Sequence, residues 1–285
     1  MGEVFFGVAG WSYPDWKGIV YPEPRPPRFD ELAFIARHFD AVEVNNTFYR
    51  PPAAKDAASW VLRVQASPRF LFTVKLHRRF THEAEAAWTA AEAHAFRAGI
   101  GPIADAGRLG ALLLQFPFSF RNTEENRAAL ARLAGEFEGL PLAAELRHAS
   151  WETRPVRDFL ASHGIAPCLI DVPGREGPGA PAPAPSGPAY VRFHGRNRDA
   201  WFRKDAGRDE RYDYLYSPEE LQAWVPAIRS LTAGAEKTFV IGNNHYKGKA
   251  PANILQLKRM LSGGRVEAPA SLVREYPFLK EWMEP

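Results

Sequence analysis

Short runs of apolar or alternating residues recur along the whole chain, and stretches with helical spacing separate them. Runs of this length predict strands, and strands that alternate with helices indicate parallel βα units. Such units predict a single (β/α)8 TIM barrel over residues 1–285, in the α/β class. The predicted strands are FFGVAG from Phe5, AVEVNN from Ala41, FLFTVKLH from Phe70, LGALLLQF from Leu109, LAAELRH from Leu142, APCLID from Ala166, AYVRFHG from Ala189 and TFVIGNN from Thr238.

Several of the intervening stretches carry helix signals. DELAFIARHF opens with Asp30 as a capping residue, and EENRAALARLAGEF from Glu124 has apolar residues at helical spacing. SPEELQAWVPAIRSL starts with a capping box in which Glu220 follows Ser217 by three residues, and it predicts one helix. We expect the final helix to begin near Pro251.

One segment, PGREGPGAPAPAPSGP at residues 173–188, interrupts this rhythm. Its content of proline and glycine predicts an irregular surface loop in the sixth crossover of the barrel. A linker between two domains is the alternative. The single barrel is preferred because the strands on either side would each belong to a fragment too small to bury its own core.

Alternate residues of a strand point to opposite sides, so parity separates barrel-facing residues from helix-facing ones. On strands two, three, five and seven one face is apolar, and we expect it to meet the helices. The opposite face of each strand carries polar residues in its later half, which is the end where barrel enzymes hold their active sites. Barrel interiors also contain structural ion pairs, so each of these polar residues could instead be a partner within the scaffold. They are Glu43 and Asn45, then Thr73, Lys75 and His77, then Glu145 and Arg147, then Tyr190, Arg192 and His194.

The composition fits a single soluble domain. Of the 285 residues, 46% are hydrophobic and 24% are charged, and the net charge of +3 is too small for a dedicated nucleic-acid binder. Cys168 is the only cysteine, which excludes an intramolecular disulfide and a cysteine-based zinc cluster. The start MGEVFFGVAG has no signal-peptide pattern, and no apolar run is long enough to cross a bilayer. We therefore expect a cytoplasmic protein without a membrane partner; its oligomeric state stays open.

Motifs distributed over the chain resemble those of the YecE-like family, a family of TIM barrels also called domain of unknown function 72. The motifs are GVAGWSYPDWKG at Gly7, VEVNNTFYRPP at Val42, FTVKLHRRFTH at Phe72, LGALLLQFPFSF at Leu109, ELRHASW at Glu145, VRFHGR at Val191 and GNNHYKGKAPAN at Gly242. The chain departs from the family pattern in its PAPAPSG tract and at Gly242, where an aromatic residue is more usual. The resemblance implies the barrel and the location of its pocket. It implies no reaction.

Cationic and amide side chains follow strands seven and eight, where barrels often bind phosphate beside a helix N-terminus. Arginine offers paired donors to an oxyanion, and Gly195 and Gly248 would let the backbone approach it. The alternative is that these glycines serve turns and that the arginines pair with Glu43 and Glu145. The candidate anion-binding residues are Arg192, His194, Arg196, Asn243, Asn244, Lys247 and Arg147.

Three carboxylates, Glu43, Glu145 and Asp171, end different strands, and we expect them to converge on the barrel axis. Paired carboxylates can divide the roles of general acid and general base. With a histidine they could also hold a divalent metal ion, and the candidate ligands are Glu145, Asp171 and His194. No HExxH spacing is present, so this metal hypothesis depends on tertiary convergence alone.

Further candidates lie at or beyond the strand ends. A desolvated Lys75 could form a Schiff base, although pairing with Glu43 or with the anion is the simpler interpretation. Aromatic residues there could stack on a sugar or a base, or could simply pack the loops. The remaining substrate-binding candidates are Trp11, Asn45, Tyr49, His77, Gln115, His148 and Trp151.

The sequence therefore predicts an enzyme, hydrolytic or isomerising, that acts on a phosphate ester, another small anionic molecule or a nucleic-acid backbone. Arg192, Arg147 and Lys75 would bind the anion, Glu43 and Glu145 would move protons, and Asn243 and Asn244 would orient the substrate. A divalent metal ion is optional. One alternative is a glycosidase-like enzyme that uses the carboxylate pair. A second is a non-catalytic nucleic-acid-binding barrel.

Overall fold

The computed structural model describes residues 2–83, 88–179, 187–264 and 266–282. Its strands form one closed parallel barrel in chain order, with the last strand paired to the first. Every strand overlaps one of the predicted runs, which confirms the (β/α)8 barrel. The strands are β1 Glu3–Ala9, β2 Ala41–Val44, β3 Leu71–Lys75, β4 Leu109–Gln115, β5 Leu142–Glu145, β6 Ile165–Asp171, β7 Ala189–Phe193 and β8 Lys237–Gly242.

Helices surround this barrel and connect its strands. They are α1 Glu31–His38, α2 Ala54–Arg63, α3 Arg78–Thr81, α4 Ala90–Asp105, α5 Glu124–Glu136, α6 Arg154–Ser162, α7 Arg198–Trp201, α8 Arg208–Arg211, α9 Pro218–Gln222, α10 Val225–Gly234, α11 Lys249–Ser262, α12 Ala270–Glu275 and α13 Leu279–Trp282. Short 3₁₀ turns follow four of the strands, at Pro14–Trp16, Asn46–Phe48, Ala149–Trp151 and Tyr246–Gly248. Among the described residues, no helix has both the length and the apolar character needed to cross a membrane.

Side-chain caps fix where several helices begin. Asp30 accepts a hydrogen bond from the backbone N–H of Ala33 at 3.0 Å, and Thr123 caps α5 in the same way. Ser217 and Glu220 form the predicted capping box at the start of α9. These short polar side chains satisfy N–H groups that have no partner inside the helix.

Two helix predictions need correction. The stretch from Ser217 forms two helices, α9 and α10, with a break at Ala223 and Trp224. Pro226 has no N–H to donate back to the preceding turn, so one continuous helix is disfavoured there. The helix expected near Pro251 is α11, which begins at Lys249, and it is followed by α12 and α13.

The stretch at residues 173–188 lies only partly within the described residues, because 180–186 fall outside them. Residues 173–179 and 187–188 form turns and bends, with an isolated bridge between Val172 and Arg175. Within its described residues, the connection from β6 to β7 therefore contains no helix.

The core has two layers, as parity predicts for a closed barrel. The larger layer lies between strands and helices and includes Val42, Phe72, Leu112, Val191 and Val240. The smaller layer fills the barrel interior with Phe5, Ala41, Leu71, Ala111, Leu113, Ala143, Cys168, Ile170, Tyr190, Phe239 and Ile241. Because apolar residues fill this interior, the polar residues near the carboxyl ends of the strands lie on top of a closed floor.

Candidate active site

A guanidinium between two carboxylates is the centre of the site. Arg192 Nη2 on β7 donates to Glu43 Oε1 on β2 at 2.6 Å, and its Nη1 donates to Glu145 Oε2 on β5. Arg192 is 2% exposed, and both glutamates are fully buried. A buried charge is tolerable only when it is paired and hydrogen-bonded, so these three side chains depend on one another.

A tyrosine links the centre to the apolar floor. Tyr190 donates its hydroxyl hydrogen to Glu43 Oε2 at 2.9 Å and lies 2.7 Å from the Thr73 hydroxyl. Both oxygens of Glu43 therefore have a donor. Burial raises the pKa of Tyr190 well above its usual value, so the phenol stays protonated.

Glu145 accepts hydrogen bonds from three side chains. Besides Arg192, Arg147 Nε reaches Oε1 at 2.7 Å, and His194 Nε2 lies 3.3 Å from Oε2. Burial alone would raise the pKa of Glu145, but the charges of Arg192 and Arg147 hold it well below its usual value. Glu145 is therefore a permanent carboxylate at neutral pH.

His194 is fully buried, with both ring nitrogens in contact. Its Nδ1 lies 2.9 Å from Asn243 Nδ2. Because an amide nitrogen only donates, Nδ1 accepts, and the ring hydrogen sits on Nε2 facing Glu145. Burial lowers the pKa of His194 to about 4, so the imidazole is neutral at pH 7.

Lys75, at the end of β3, differs from the other charged groups here. Its Nζ lies over the Phe48 ring, 3.8 Å from the centroid, and makes no ion pair within the described part of the chain. Burial and the nearby charge of Arg192 lower the pKa of Lys75 to about 7. The expected pairing with Glu43 is absent because Arg192 and Tyr190 take up that carboxylate.

Aromatic rings line the β1 and β8 side of the mouth. His245 is buried and stacks on Tyr13 with ring centroids 4.4 Å apart, while Tyr212 lies 5.3 Å away on another loop. Arg208 lies 5.8 Å from the centre of the Tyr13 ring. Burial lowers the pKa of His245 to about 4, which leaves a neutral ring between two phenols.

Asp171 does not join the other carboxylates. On β6 it is Cys168 and Ile170 that belong to the interior layer, so the next residue points towards the helices. The Asp171 carboxylate accepts from Arg196 at 2.7 Å and 2.8 Å, from Tyr216 at 2.7 Å and from Trp224 at 3.1 Å. The expectation that Asp171 reaches the barrel axis was wrong.

This placement also separates the predicted metal ligands. Glu145 and His194 lie together, but Asp171 is held elsewhere by Arg196. Among the residues that the structure describes, no group of three or more His, Cys, Asp or Glu side chains is arranged to hold a metal ion. The residues present do not fit the divalent ion that the sequence allowed.

Three other candidates have structural partners outside the pocket. Arg196 is shared between Asp171 and Glu220. Asn244 donates to the Tyr214 carbonyl at 2.9 Å and to Asn253 at 3.0 Å, so it ties a loop to α11. Trp151 is buried, stacks on Phe120 and donates to its carbonyl at 2.8 Å. In this structure, each of the three residues therefore joins parts of the scaffold.

Two histidines that were predicted to contact substrate, His77 and His148, cap the turns that follow their strands. Nδ1 of His77 accepts from the Arg79 N–H at 3.2 Å, and Nδ1 of His148 accepts from the Ser150 N–H at 3.1 Å. Each ring thereby stabilises the turn that follows its strand.

The other predicted contacts stay near the mouth. Gln115 is buried opposite Glu145 in the β4–β5 register. Asn45 directly follows β2 and has a buried Oδ1 without a hydrogen-bond partner among the described residues. Trp11 packs edge-on against Trp60, whereas Tyr49 is 68% exposed.

The glycines expected to admit a phosphate serve packing instead. Gly195 has a φ of +93°, and a Cβ there would lie 2.8 Å from Tyr214 Cβ. Gly248 has a φ of +74°, and a Cβ there would lie 2.8 Å from a Val20 methyl. Both residues need glycine for their left-handed backbone and close neighbours.

The family model described as a protein of unknown function, DUF72, matches residues 5–275. The chain belongs to the DUF72 family. Among curated proteins it is 29% identical over 272 residues to the UPF0759 protein YunF of Bacillus subtilis, covering 90% of this chain and 94% of YunF. These matches confirm the resemblance seen in the motifs.

Solved DUF72 structures share the fold. A DUF72 family protein from Thermotoga maritima is 36% identical, with a TM-score of 0.77 over 90% of this chain and 98% of that one. A DUF72 family protein from Enterococcus faecalis is 28% identical, with a TM-score of 0.76 over 91% and 95% of the two chains. The names of these DUF72 relatives state no substrate or reaction.

Several site residues were not among the sequence candidates. Parity placed Tyr190 inside the barrel, and its phenol could have been added to the set on that ground. Phe48 and Tyr212 carry no local signal, because each reaches the mouth through a loop whose path depends on the assembled barrel.

Proposed function

We propose that this DUF72 protein is an enzyme that binds a small anionic molecule, such as a phosphate ester, and reacts at Lys75. The observation that carries the proposal is the Lys75 amine, which lies on the inner face of the barrel without a carboxylate partner. A lysine of this kind is uncharged in a large fraction of molecules at neutral pH and can take up a proton. This suits an isomerising or hydrolytic reaction.

The balance of charge supports an anionic substrate. Arg192, Arg147 and Lys75 face Glu43 and Glu145, so a protonated Lys75 is the one cation of this group without a partner. A bound anion would supply the missing negative charge and would favour the ammonium form.

Arg147 is the anion-binding group in this proposal. Only its Nε is used by Glu145, so Nη1 and Nη2 remain as donors in a side chain that is 22% exposed. Paired guanidinium donors match the geometry of a phosphate or carboxylate. Arg192, which the sequence suggested for this role, is already occupied by two carboxylates and acts as the support of the site.

The glutamates have a different role from the predicted one. A general acid needs a carboxyl whose pKa is raised, but the pKa of Glu145 is lowered by its arginine neighbours. In this proposal Glu145 therefore fixes Arg192 and is not the general acid. Glu43, whose two oxygens accept from Arg192 and Tyr190, has the same supporting role. The lowered pKa also weighs against Glu145 as the protonated carboxylic acid that a glycosidase-like mechanism requires.

Titration calorimetry with inorganic phosphate tests the proposal. We expect wild-type protein to bind phosphate and Arg147→Met to bind it about tenfold more weakly, as the loss of a charged hydrogen bond implies. Arg127→Met on the exposed surface of α5 is the matched control and should bind like wild type. Equal binding by all three proteins would overturn the proposal. So would binding of neutral sugars without any binding of phosphate.

A nucleic-acid partner is a separate outcome of this test. A single-stranded oligonucleotide that binds with steep salt dependence, but is not displaced by phosphate, would favour the non-catalytic binding barrel.

A further inference from the structure

Both glutamates of the site are hydrogen-bonded to groups other than the Lys75 amine. Arg192 and Tyr190 occupy Glu43, and Arg192, Arg147 and His194 occupy Glu145. An ammonium beside a free carboxylate would be held in its charged form. Here Arg192 and Arg147 pair with the carboxylates, and burial together with the charge of Arg192 lowers the pKa of Lys75 to about 7. That arrangement favours the free amine, which is the nucleophilic form of lysine.

A second feature holds the amine in place. Thr47 Oγ1 donates to the Lys75 carbonyl at 2.6 Å and also lies 3.0 Å from the Val44 carbonyl. This fully buried hydroxyl fastens the 3₁₀ turn after β2 to the end of β3. The next residue in that turn, Phe48, therefore presents its ring to Nζ at 3.8 Å. The Lys75 side chain is thus positioned by the face of the Phe48 ring and not by an ion pair.

We propose that Lys75 is a nucleophile that forms an imine with the carbonyl carbon of an anionic aldehyde or ketone. This inference rests on the proposed function, since the anionic part of the substrate would lie on Arg147. In the reaction the amine nitrogen adds to the carbonyl carbon to give a carbinolamine. A carbon–nitrogen double bond then forms as the carbon–oxygen bond breaks, and the oxygen leaves as water with both hydrogens of the amine. No oxidant or reductant is consumed.

The charge of the site also selects between carbonyl compounds. An imine in this pocket is easily protonated, and the resulting iminium would be a cation beside Arg192 and Arg147. A phosphate or carboxylate within the same molecule offsets that charge, whereas a neutral ketone cannot. Anionic carbonyl compounds should therefore react more readily than neutral ones of the same length.

Reductive trapping tests the imine directly. The protein is incubated at pH 7 with dihydroxyacetone phosphate, pyruvate or glyceraldehyde 3-phosphate in the presence of cyanoborohydride. The uncharged probes dihydroxyacetone and glyceraldehyde are run in parallel. We expect one adduct per chain with an anionic probe, with a mass gain equal to the probe less one oxygen atom, and peptide mapping that places it on Lys75.

Two variants locate the reaction. Lys75→Arg keeps the positive charge but removes the primary amine, and it should abolish the adduct. Lys237→Arg, on β8 at the opposite end of the barrel, should label like wild type. An adduct that survives in Lys75→Arg, labelling spread evenly over surface lysines, or no adduct with any anionic probe overturns the inference.

The phosphate-binding and trapping experiments together distinguish failure of the imine proposal from failure of the anion-binding proposal. If phosphate binds through Arg147 but no probe is trapped, the imine is wrong and anion binding stands. If neutral and anionic probes label Lys75 equally, and phosphate does not protect it, the imine stands and the anionic substrate is wrong. If phosphate suppresses trapping at Lys75 in wild type but not in Arg147→Met, both are supported.

Discussion

Arg192 on β7 donates to Glu43 on β2 at 2.6 Å, although 149 positions separate them in the chain. The same guanidinium also binds Glu145, so strands β2, β5 and β7 are joined through one cation in the upper part of the barrel. Removing any one of the three leaves an uncompensated buried charge. The three residues therefore stabilise the fold, and they also set the electrostatic environment of Lys75.

Glu145→Gln should destabilise the protein by about 3 kcal/mol, since one partner of a buried ion pair is lost. The pKa of Glu145 is lowered by folding, so its contribution is present above the unfolded pKa and is lost as pH falls through the folded pKa. The difference between wild type and Glu145→Gln should then shrink below pH about 4. Urea denaturation at a series of pH values measures it.

Glu236→Gln is the control for this prediction. Glu236 pairs with Lys237 at 3.0 Å while 87% exposed, and the loss of such a pair should cost under about 1 kcal/mol. Similar losses in the two variants would contradict the buried network.

His194 should remain neutral with its hydrogen on Nε2 from pH 5 to 8, as long-range ¹⁵N NMR spectra can show. Its pKa is about 4 in the folded protein, against 6.5 for an ordinary histidine. Folding lowers this pKa, so stability falls as pH drops from about 6.5 towards 4, where the unfolded chain takes up the proton first.

Asn243→Ala removes the donor to Nδ1 and should allow the other tautomer to appear. Asn126→Ala, which removes an exposed contact to the Arg121 carbonyl, should leave the His194 signals unchanged. A wild-type ring that is already protonated on Nδ1 would refute the assignment.

Asp171→Asn should cost about 3 kcal/mol in unfolding free energy, because the amide presents N–H groups where Arg196 and Trp224 already donate. Phosphate affinity of the folded variant should not change, since Asp171 lies outside the pocket. Exposed Asp199 on α7 offers the control Asp199→Asn, which should be neutral in both measurements. A large loss of phosphate binding in Asp171→Asn would place this carboxylate in the site after all.

The contrast between Glu145 and Asp171 shows how far sequence reasoning reaches. Strand period fixes which residues share a face, and on β2, β3, β5 and β7 the alternation of apolar and polar residues also shows which face looks inward. On β6 the inward residues Cys168 and Ile170 are apolar, so the polar residue at the strand end was assigned to the wrong side. Its true partners, Tyr216 and Trp224, lie more than forty residues further along the chain.

Strand parity cannot predict which charged side chains form ion pairs within the pocket. Parity assigned Glu43, Lys75, Glu145 and Arg192 to the inner face, where the structure places them. Closure of the barrel decides that Arg192 pairs with both glutamates and that Lys75 pairs with neither. Such choices depend on the positions of side chains from opposite strands to within an ångström. The same holds for Phe48, which a buried Thr47 hydroxyl directs onto the amine.

Lys75→Met should stabilise the protein by roughly 4 kcal/mol at pH 7 while it abolishes imine formation, because it removes a buried cation and keeps the apolar stem. The pKa of Lys75 falls to about 7 on folding from a usual value of 10.5, so between these values the unfolded chain binds more protons. Wild-type stability should therefore rise across that range relative to Lys75→Met, and the advantage of the variant should be largest below pH 7 and vanish near pH 10. Lys237→Met, at the amino end of β8, should show no such trend. A constant difference between wild type and Lys75→Met from pH 6 to 10 would mean that Lys75 titrates like an ordinary surface lysine, and the reactive amine would have to be abandoned.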